Sequence, residues 1–378
     1  MSRKLTGFLT ILVGVLLAPF AEAAYQNPEV RVLLFSTTSG VVFSNQNALV
    51  IENGQLKNTR HRKLVVKPVR ANKVMVNNQY VHPGSLWIRG NPETRVQQIG
   101  SSVNRGYLGR IEIKPFAKGL YVINHVPIEH YLEGVLNAEI STKWHMEVVK
   151  AQSVISRTFA LYKMEKRGDA AWHLSAGQYD QVYLGVDIAD KRGKRAIGAT
   201  RGIVVSYKGK LAQTFYHSNC GGMTEDPGYI WQTSLPYLRV KSVPYGQKDP
   251  RYHWEVTLSE KELLKLLRKS GKNLNSVKKL FINKQTSSKR AFELVFVGKR
   301  PVKMLAYKFR TLAGYRRIQS LLFDVIKVPG GFHFRGKGNG HGVGLSQWAA
   351  KEMAEVGYKY HDIIYFFYSG IRLKIYRS

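Results

Sequence analysis

The chain has 378 residues, 44% of them hydrophobic and 11% aromatic, a composition ordinary for a globular protein with room for two or three domains. Its charge is not ordinary: 58 Lys and Arg against 25 Asp and Glu leave a formal net charge of +33, which calls for a polyanionic partner or an anionic surface such as nucleic acid, membrane or cell wall. The single cysteine, Cys220, excludes an internal disulfide; a lone thiol is either buried or a special ligand, burial being the default.

Residues 1–23 read as a secretory signal peptide. Arg3 and Lys4 precede an apolar run from Phe8 to Phe20, and Ala21-Glu22-Ala23 fits a small-residue cleavage site. Beyond it no stretch approaches the run of about 18 apolar residues needed to span a membrane. An exported basic protein rarely meets nucleic acid, so wall polymers or lipid head groups move ahead of it as partners.

Residues 24–126 form a β-rich region. Val30–Phe35, Leu49–Ile51, Lys63–Val69, Lys73–Val76, Ser85–Arg89 and Arg110–Ile113 have strand character, and Asn53-Gly54 is a hairpin turn signal. The basic residues Arg60-His61-Arg62-Lys63 read as a solvated face.

Residues 127–240 follow as the candidate catalytic core. Pro127 suits the first turn of a helix, and Ile128, Tyr131, Leu132, Val135, Leu136 and Ile140 have the spacing of one helical face. Glu139 falls on that same stripe, about three turns beyond Ile128, whereas Glu129 and Glu133 point elsewhere. A carboxylate on an apolar stripe is desolvated, which raises its pKa and suits a general acid. The alternative is a Glu at the stripe's edge, salt-bridged to a Lys or Arg. A second helix joined near Ser141 to Trp144 is apolar almost all round through Val148, Val149, Ala151, Val154, Ile155, Phe159, Ala160 and Leu161, so it is central. Arg157 shares a face with Val154 and Leu161; buried there, it needs an acidic partner or an anionic ligand.

The segment Gly177-Gln178-Tyr179-Asp180-Gln181-Val182-Tyr183 offers two Tyr and two amides, groups suited to sugar faces and hydroxyls but also ordinary loop content. Asp187–Ala199 reads as a helix. Gly202–Tyr207 and Lys210–His217 read as a hairpin turning at Lys208-Gly209, which leaves His217 at a strand end before Ser218-Asn219-Cys220-Gly221-Gly222, where sites commonly lie. His217 and Cys220 are two of the three or four ligands that zinc requires, and no second Cys exists to join them.

Residues 241–330 read as an α+β insertion. Trp254–Leu258 is a strand, Ser259 with Glu262 forms a capping box, Glu260–Lys269 is a basic amphipathic helix, and Phe292–Val297 and Leu322–Val328 are strands. Residues 331–378 carry a Gly-rich loop and two helices, Leu345–Val356 and Tyr360–Tyr368, that complete the core. Gly336-Lys337-Gly338-Asn339-Gly340-His341-Gly342-Val343-Gly344-Leu345-Ser346-Gln347-Trp348 matches neither GxGxxG nor GxxxxGK[ST], so nucleotide binding is rejected. Alternate glycines let the backbone approach a ligand closely, with His341 placed to act there.

Together these motifs resemble the SpoIID/LytB family, over nearly all of the mature chain. The resemblance rests on Val126-Pro127 to Leu132 with Gly134-Val135, Glu139, Lys150-Ala151-Gln152 with Arg157-Thr158, Tyr216-His217-Ser218 with Gly221-Gly222, and Gly340 to Gln347. It implies an α+β fold in which a central helical pair packs on sheet. It also implies a peptidoglycan lytic transglycosylase, with Glu139 as catalytic acid and Arg157 and His217 as further catalytic residues that orient sugar or acid and stabilise developing charge. Tyr216, Ser218, Tyr179, Gln181, His341, Ser346 and Gln347 are the candidate substrate-binding residues, and glycan strands the partner. Some relatives hold zinc near the His217 loop with additional cysteines that this chain lacks, so no metal or other cofactor is expected. The LytB branch implies an alternative: a wall-binding protein, without catalysis, that enhances a cell-wall amidase. A basic surface-binding protein with no specific substrate is a further alternative.

Overall fold

The structure is a computed structural model and describes residues 25–52, 60–69, 73–81 and 86–377. The signal-peptide segment, the Asn53-Gly54 turn and Ser85 lie outside these residues. The architecture is mixed α+β, as the sequence pattern predicts, with a β-rich N-terminal region.

The N-terminal sheet runs in the order Leu174–Ser175, Glu29–Thr37, Gly119–Pro127, Arg110–Phe116, Leu86–Gly90, Val41–Glu52, Arg60–Val69, Lys73–Val76, Gln79–Val81. Val30 and Val32, two apart along their strand, are buried on one face, as period two requires. The strand Gly119–Pro127 is buried along almost its whole length, so no alternation betrays it in the sequence. It ends on Pro127, which is also the N-cap of the helix Ile128–Glu133. Sheet and helical core are thereby joined without a loop.

The first helix is not continuous. It runs Ile128–Glu133, breaks at Gly134-Val135 and resumes as Leu136–Glu139. The cause is contact with Tyr183: a Cβ on Gly134 would lie 2.4 Å from Tyr183 Cε2 and 2.9 Å from the Gly185 carbonyl. The break lies between Ile128 and Glu139, so one straight-helix stripe does not join them; Glu129 precedes it, and its burial goes with an ionic partner instead. Glu129, expected to point elsewhere, is buried with 4% of its surface exposed. The long helix Met146–Arg167 is central as expected, packed by Lys191–Ala199, Ile203–Tyr207, Gln347–Glu355 and Tyr360–Phe367. The helix read over Asp187–Ala199 is a 3-10 turn, Val186–Ile188, followed by Lys191–Ala199; the Asp190 side chain accepts from the Gly193 N–H and starts the second element.

The hairpin at Lys208-Gly209 forms, but its second strand is only Lys210–Leu211. Tyr216–His217 leaves that sheet and pairs in parallel with Leu345–Ser346. This puts the His217 strand beside the Gly-rich run, and Leu345-Ser346 is strand rather than the start of the helix Gln347–Glu355.

A second hydrophobic core, centred on Leu263, Leu267, Phe296, Phe309 and Phe334, lies between helices Glu260–Lys269 and Ala306–Ala313 and two three-stranded antiparallel sheets. The capping box at Ser259 and Glu262 is present with both of its hydrogen bonds. The strand Gly331–Lys337, grouped by sequence with the C-terminal segment, pairs with His253–Ser259 and Phe323–Val328 and is part of this unit. Among the described residues no helix is long and apolar enough to cross a membrane.

Candidate active site

Glu139 ends the short helix Leu136–Glu139, after which Ile140 turns to extended backbone. Glu139 is half-buried, and among the described residues the donors on its carboxyl are neutral. The Val182 N–H donates to Oε1 at 2.9 Å, and the Tyr216 hydroxyl donates to the carboxylate. Gln181, buried, links the neighbours: its Nε2 donates to the Tyr216 hydroxyl at 3.2 Å and its Oε1 accepts from the Tyr131 hydroxyl at 3.1 Å. From below, Gln347 Nε2 donates to the Glu139 backbone carbonyl at 3.2 Å and to Gln152 Oε1 at 3.3 Å. Among the described residues no Lys or Arg forms an ion pair with Glu139, so the edge salt bridge is not what is found. Burial pushes its pKa above the usual carboxylate range, and the Val182 and Tyr216 donors draw it only partly back. Such a carboxyl can hold a proton and deliver it.

Tyr216 and His217 are consecutive on a strand, so their side chains take opposite sides. Tyr216 meets Glu139, while His217 meets the Gly-rich run. His217 Nδ1 lies 3.1 Å from the Val343 carbonyl and must carry its proton toward it, which leaves the buried Nε2 with a lone pair and no partner. His341 has the reverse tautomer: Nδ1 accepts from the Val343 N–H at 3.0 Å, and the ring also hydrogen-bonds the Tyr216 backbone. The two rings are 5.2 Å apart. Burial and the nearby Arg290 and Arg310 hold both neutral, pushing His341 down to about 3 and His217 well below its ordinary value. The glycines that the sequence associates with ligand approach serve packing here. A Cβ on Gly340 would meet His217 Cβ at 2.7 Å, and one on Gly342 would meet the Arg290 guanidinium at 2.6 Å.

This donor set does not fit zinc. His217 Nε2 is one free nitrogen, both His341 nitrogens are engaged, and burial pushes the Cys220 thiol up toward its neutral form. Among the described residues no group of three or more His, Cys, Asp and Glu can hold a metal ion.

Arg157 is fully buried, and its guanidinium is spent inside the protein: Nε and Nη2 on Glu129, Nη1 on the Ile203 carbonyl at 3.2 Å. The partner that the sequence demands is thus Glu129, and the candidate role of Arg157 beside Glu139 is corrected to that of a frame. Ser346 is likewise a brace, its Oγ accepting from the Cys220 N–H at 3.1 Å. The Ser218 carbonyl accepts from the Trp348 N–H at 3.0 Å. Tyr179 stands 96% exposed on the loop surface, apart from the cluster around Glu139. Of the sequence candidates, Glu139, Tyr216, Gln181 and Gln347 are therefore brought together, and His217 with His341 forms a neighbouring cluster. Gln152, Tyr131 and the Val182 N–H were not expected. Gln152 belongs to the Lys150-Ala151-Gln152 motif, but a backbone donor such as the Val182 N–H leaves no mark in sequence.

Comparison with known proteins gives the chain its family. The family model described as Stage II sporulation protein matches residues 117–207, and a domain of unknown function (DUF8618) matches residues 238–344. An uncharacterized protein of Brachyspira hyodysenteriae is 32% identical over 268 residues, 70% of this chain and 71% of that protein. The chain belongs to the SpoIID/LytB family. Among its SpoIID/LytB relatives are the amidase enhancer of Bacillus subtilis, 30% identical over 294 residues (65% of this chain, 40% of that protein), and stage II sporulation protein D of Bacillus amyloliquefaciens, 27% identical over 276 residues (69% and 78%). The SpoIID match contains Glu139, Gln152, Arg157 and Gln181, whereas the DUF8618 match covers the second core and Arg290.

Proposed function

We propose that this SpoIID/LytB protein is a lytic transglycosylase that cleaves the bond between N-acetylmuramic acid and N-acetylglucosamine in peptidoglycan. Family membership supports a role at the cell wall. The observation that carries the finer reading is a half-buried Glu139 with a raised pKa, two neutral donors on its carboxyl and, among the described residues, no cationic partner. Protonated Glu139 gives its proton to the glycosidic oxygen as the C1–O bond breaks. The carboxylate then takes the proton from the muramic acid C6 hydroxyl while O6 bonds to C1, which closes a 1,6-anhydro ring. No water enters. Glycosidases usually need a second carboxylate to act as nucleophile or activate water; an intramolecular hydroxyl replaces it. Tyr216 and Val182 stabilise Glu139 in its charged moments, while Gln181 holds the Tyr216 hydroxyl and Gln347 the Glu139 backbone.

The chain acts after export, through residues 1–23, and its +33 charge suits a glycan carrying lactyl and peptide carboxylates. The relative named amidase enhancer favours a second reading, in which the same groove binds wall and stimulates an amidase without cleaving glycan. Mass spectrometry of glycan strands, with and without peptides, separates the two. Anhydro-muramic ends from wild type and none from Glu139→Gln support the lytic reaction. Reducing ends mean hydrolysis. No cleavage of either substrate, with binding kept, supports the amidase partner.

A further inference from the structure

Just before Tyr216, Phe215 carries an arrangement that the chemistry at Glu139 does not use. Trp231 stacks on the Phe215 ring at 4.2 Å between centroids and 17° between planes, while 41% of its surface remains exposed. His341 braces its edge at 5.0 Å and 65°. Trp231 ends the one-turn helix Gly228–Trp231. Pro227 and the Asp226 carboxylate, which accepts from the Gly228 N–H at 2.7 Å, start that turn, and Gln232 at φ 56° stops it. Ile230 anchors the turn by packing against both hydrophobic cores. Phe215 is equally fixed, its carbonyl accepting from the Leu345 N–H at 3.1 Å and the Tyr368 hydroxyl. An exposed indole is thus held flat and immobile from behind. Among the described residues nothing accepts from its N–H.

We infer that Trp231 is a stacking platform for a pyranose ring of the glycan strand, at a subsite distal to Glu139. The inference rests on the lytic reading only for the identity of the ligand. A pyranose shows a face of C–H groups ringed by hydroxyls. A flat aromatic surface with a free N–H at its edge complements both, and an immobilised ring loses little entropy when it binds. Phe215 directly precedes Tyr216, whose hydroxyl meets Glu139, and among the described residues the ring contacts of Trp231 are to Phe215 and His341 rather than to Glu139 or Tyr216, so a sugar on the platform is a different one from those at the acid. The platform therefore senses strand length. Long strands reach it, and short ones occupy only the region of Glu139.

The test uses the Glu139→Gln protein, which holds strands without cutting them, and peptide-free glycan strands of graded length. Binding is followed by calorimetry and tryptophan fluorescence. Trp231→Leu keeps an apolar cover on Phe215 but removes the flat face; Trp231→Phe restores a smaller one. For long strands Trp231→Leu weakens binding about five- to tenfold and Trp231→Phe recovers part of it, while a tetrasaccharide binds all three proteins alike. Unchanged binding of long strands overturns the inference, and so does an equal loss for long and short strands, which a merely structural role predicts. The two readings fail separately. Wild type that leaves no anhydro ends, with length-dependent binding through Trp231 intact, overturns the lytic reaction alone. Anhydro ends with binding indifferent to Trp231 overturn the platform alone.

Discussion

Arg157 grips Glu129 with both arms of its guanidinium, Nε to Oε1 at 2.9 Å and Nη2 to Oε2 at 2.7 Å, at side chains 0% and 6% exposed. The Tyr25 hydroxyl and the Gly202 N–H complete the shell on Oε1 at 2.7 and 3.1 Å. Removing one partner strands a buried charge, at a cost of about 3–5 kcal/mol. Arg157→Met and Glu129→Gln should therefore lower the melting temperature markedly, while activity per folded molecule changes little. A loss of turnover without a loss of stability would return Arg157 to the chemistry.

The same pair sets an acid limit. Burial alone would raise the Glu129 pKa, but the Arg157, Tyr25 and Gly202 donors overcome it and hold it below its ordinary value. A depressed pKa contributes stability that is full above the unfolded-state value and lost as pH falls through the folded one. Thermal melts on the acid side should fall less steeply in Glu129→Gln than in wild type.

Glu139 has the opposite sign. Its folded pKa is raised by burial, so its ionisation opposes folding: the stability it contributes is present below the unfolded pKa and lost as pH rises through the folded one. At neutral pH Glu139→Gln should melt higher than wild type while losing at least about a hundredfold in turnover. As a proton donor, Glu139 also makes activity fall as pH rises through its pKa. Tyr216→Phe removes a donor to the ionised form, which raises that pKa and moves the falling limb of the pH–rate profile to higher pH.

Much of this was legible in sequence because it depends on local chemistry. The capping box at Ser259 and Glu262, the helix Glu260–Lys269 and the central helix around Val154 follow from spacing and caps alone. Glu139 stood out because a carboxylate among apolar residues is costly. What was hidden depends on contacts remote in sequence. The break at Gly134 packs against the Tyr183 ring, and the partner that lets Glu129 be buried, Arg157, lies 28 residues further on. Tyr216–His217 reads as the end of a hairpin until Leu345–Ser346, far along the chain, supplies its real partner.

Asp180 shows how far the support of Glu139 extends. Its buried carboxylate accepts from the Ser175 N–H at 2.9 Å and the Ser175 hydroxyl at 2.8 Å, and it meets Lys163 Nζ at 2.7 Å. This ties the loop to the far half of the central helix, two residues before the Val182 N–H that reaches Glu139. Burial would raise the Asp180 pKa, but Lys163 and Ser175 hold it below its ordinary value, so the anchor is charged at working pH. Asp180→Asn leaves Lys163 without its partner and frees the loop. Glu139 then loses its backbone donor, its pKa rises, and the falling limb of activity moves to higher pH, in the same direction as in Tyr216→Phe. Because Val182 and Tyr216 donate separately to one carboxyl, the double variant should shift further than either single one. Tyr179→Ala, one residue from Asp180 but exposed, should leave the profile where it is. A profile unmoved in Asp180→Asn would show that the Val182 N–H keeps its place without the anchor.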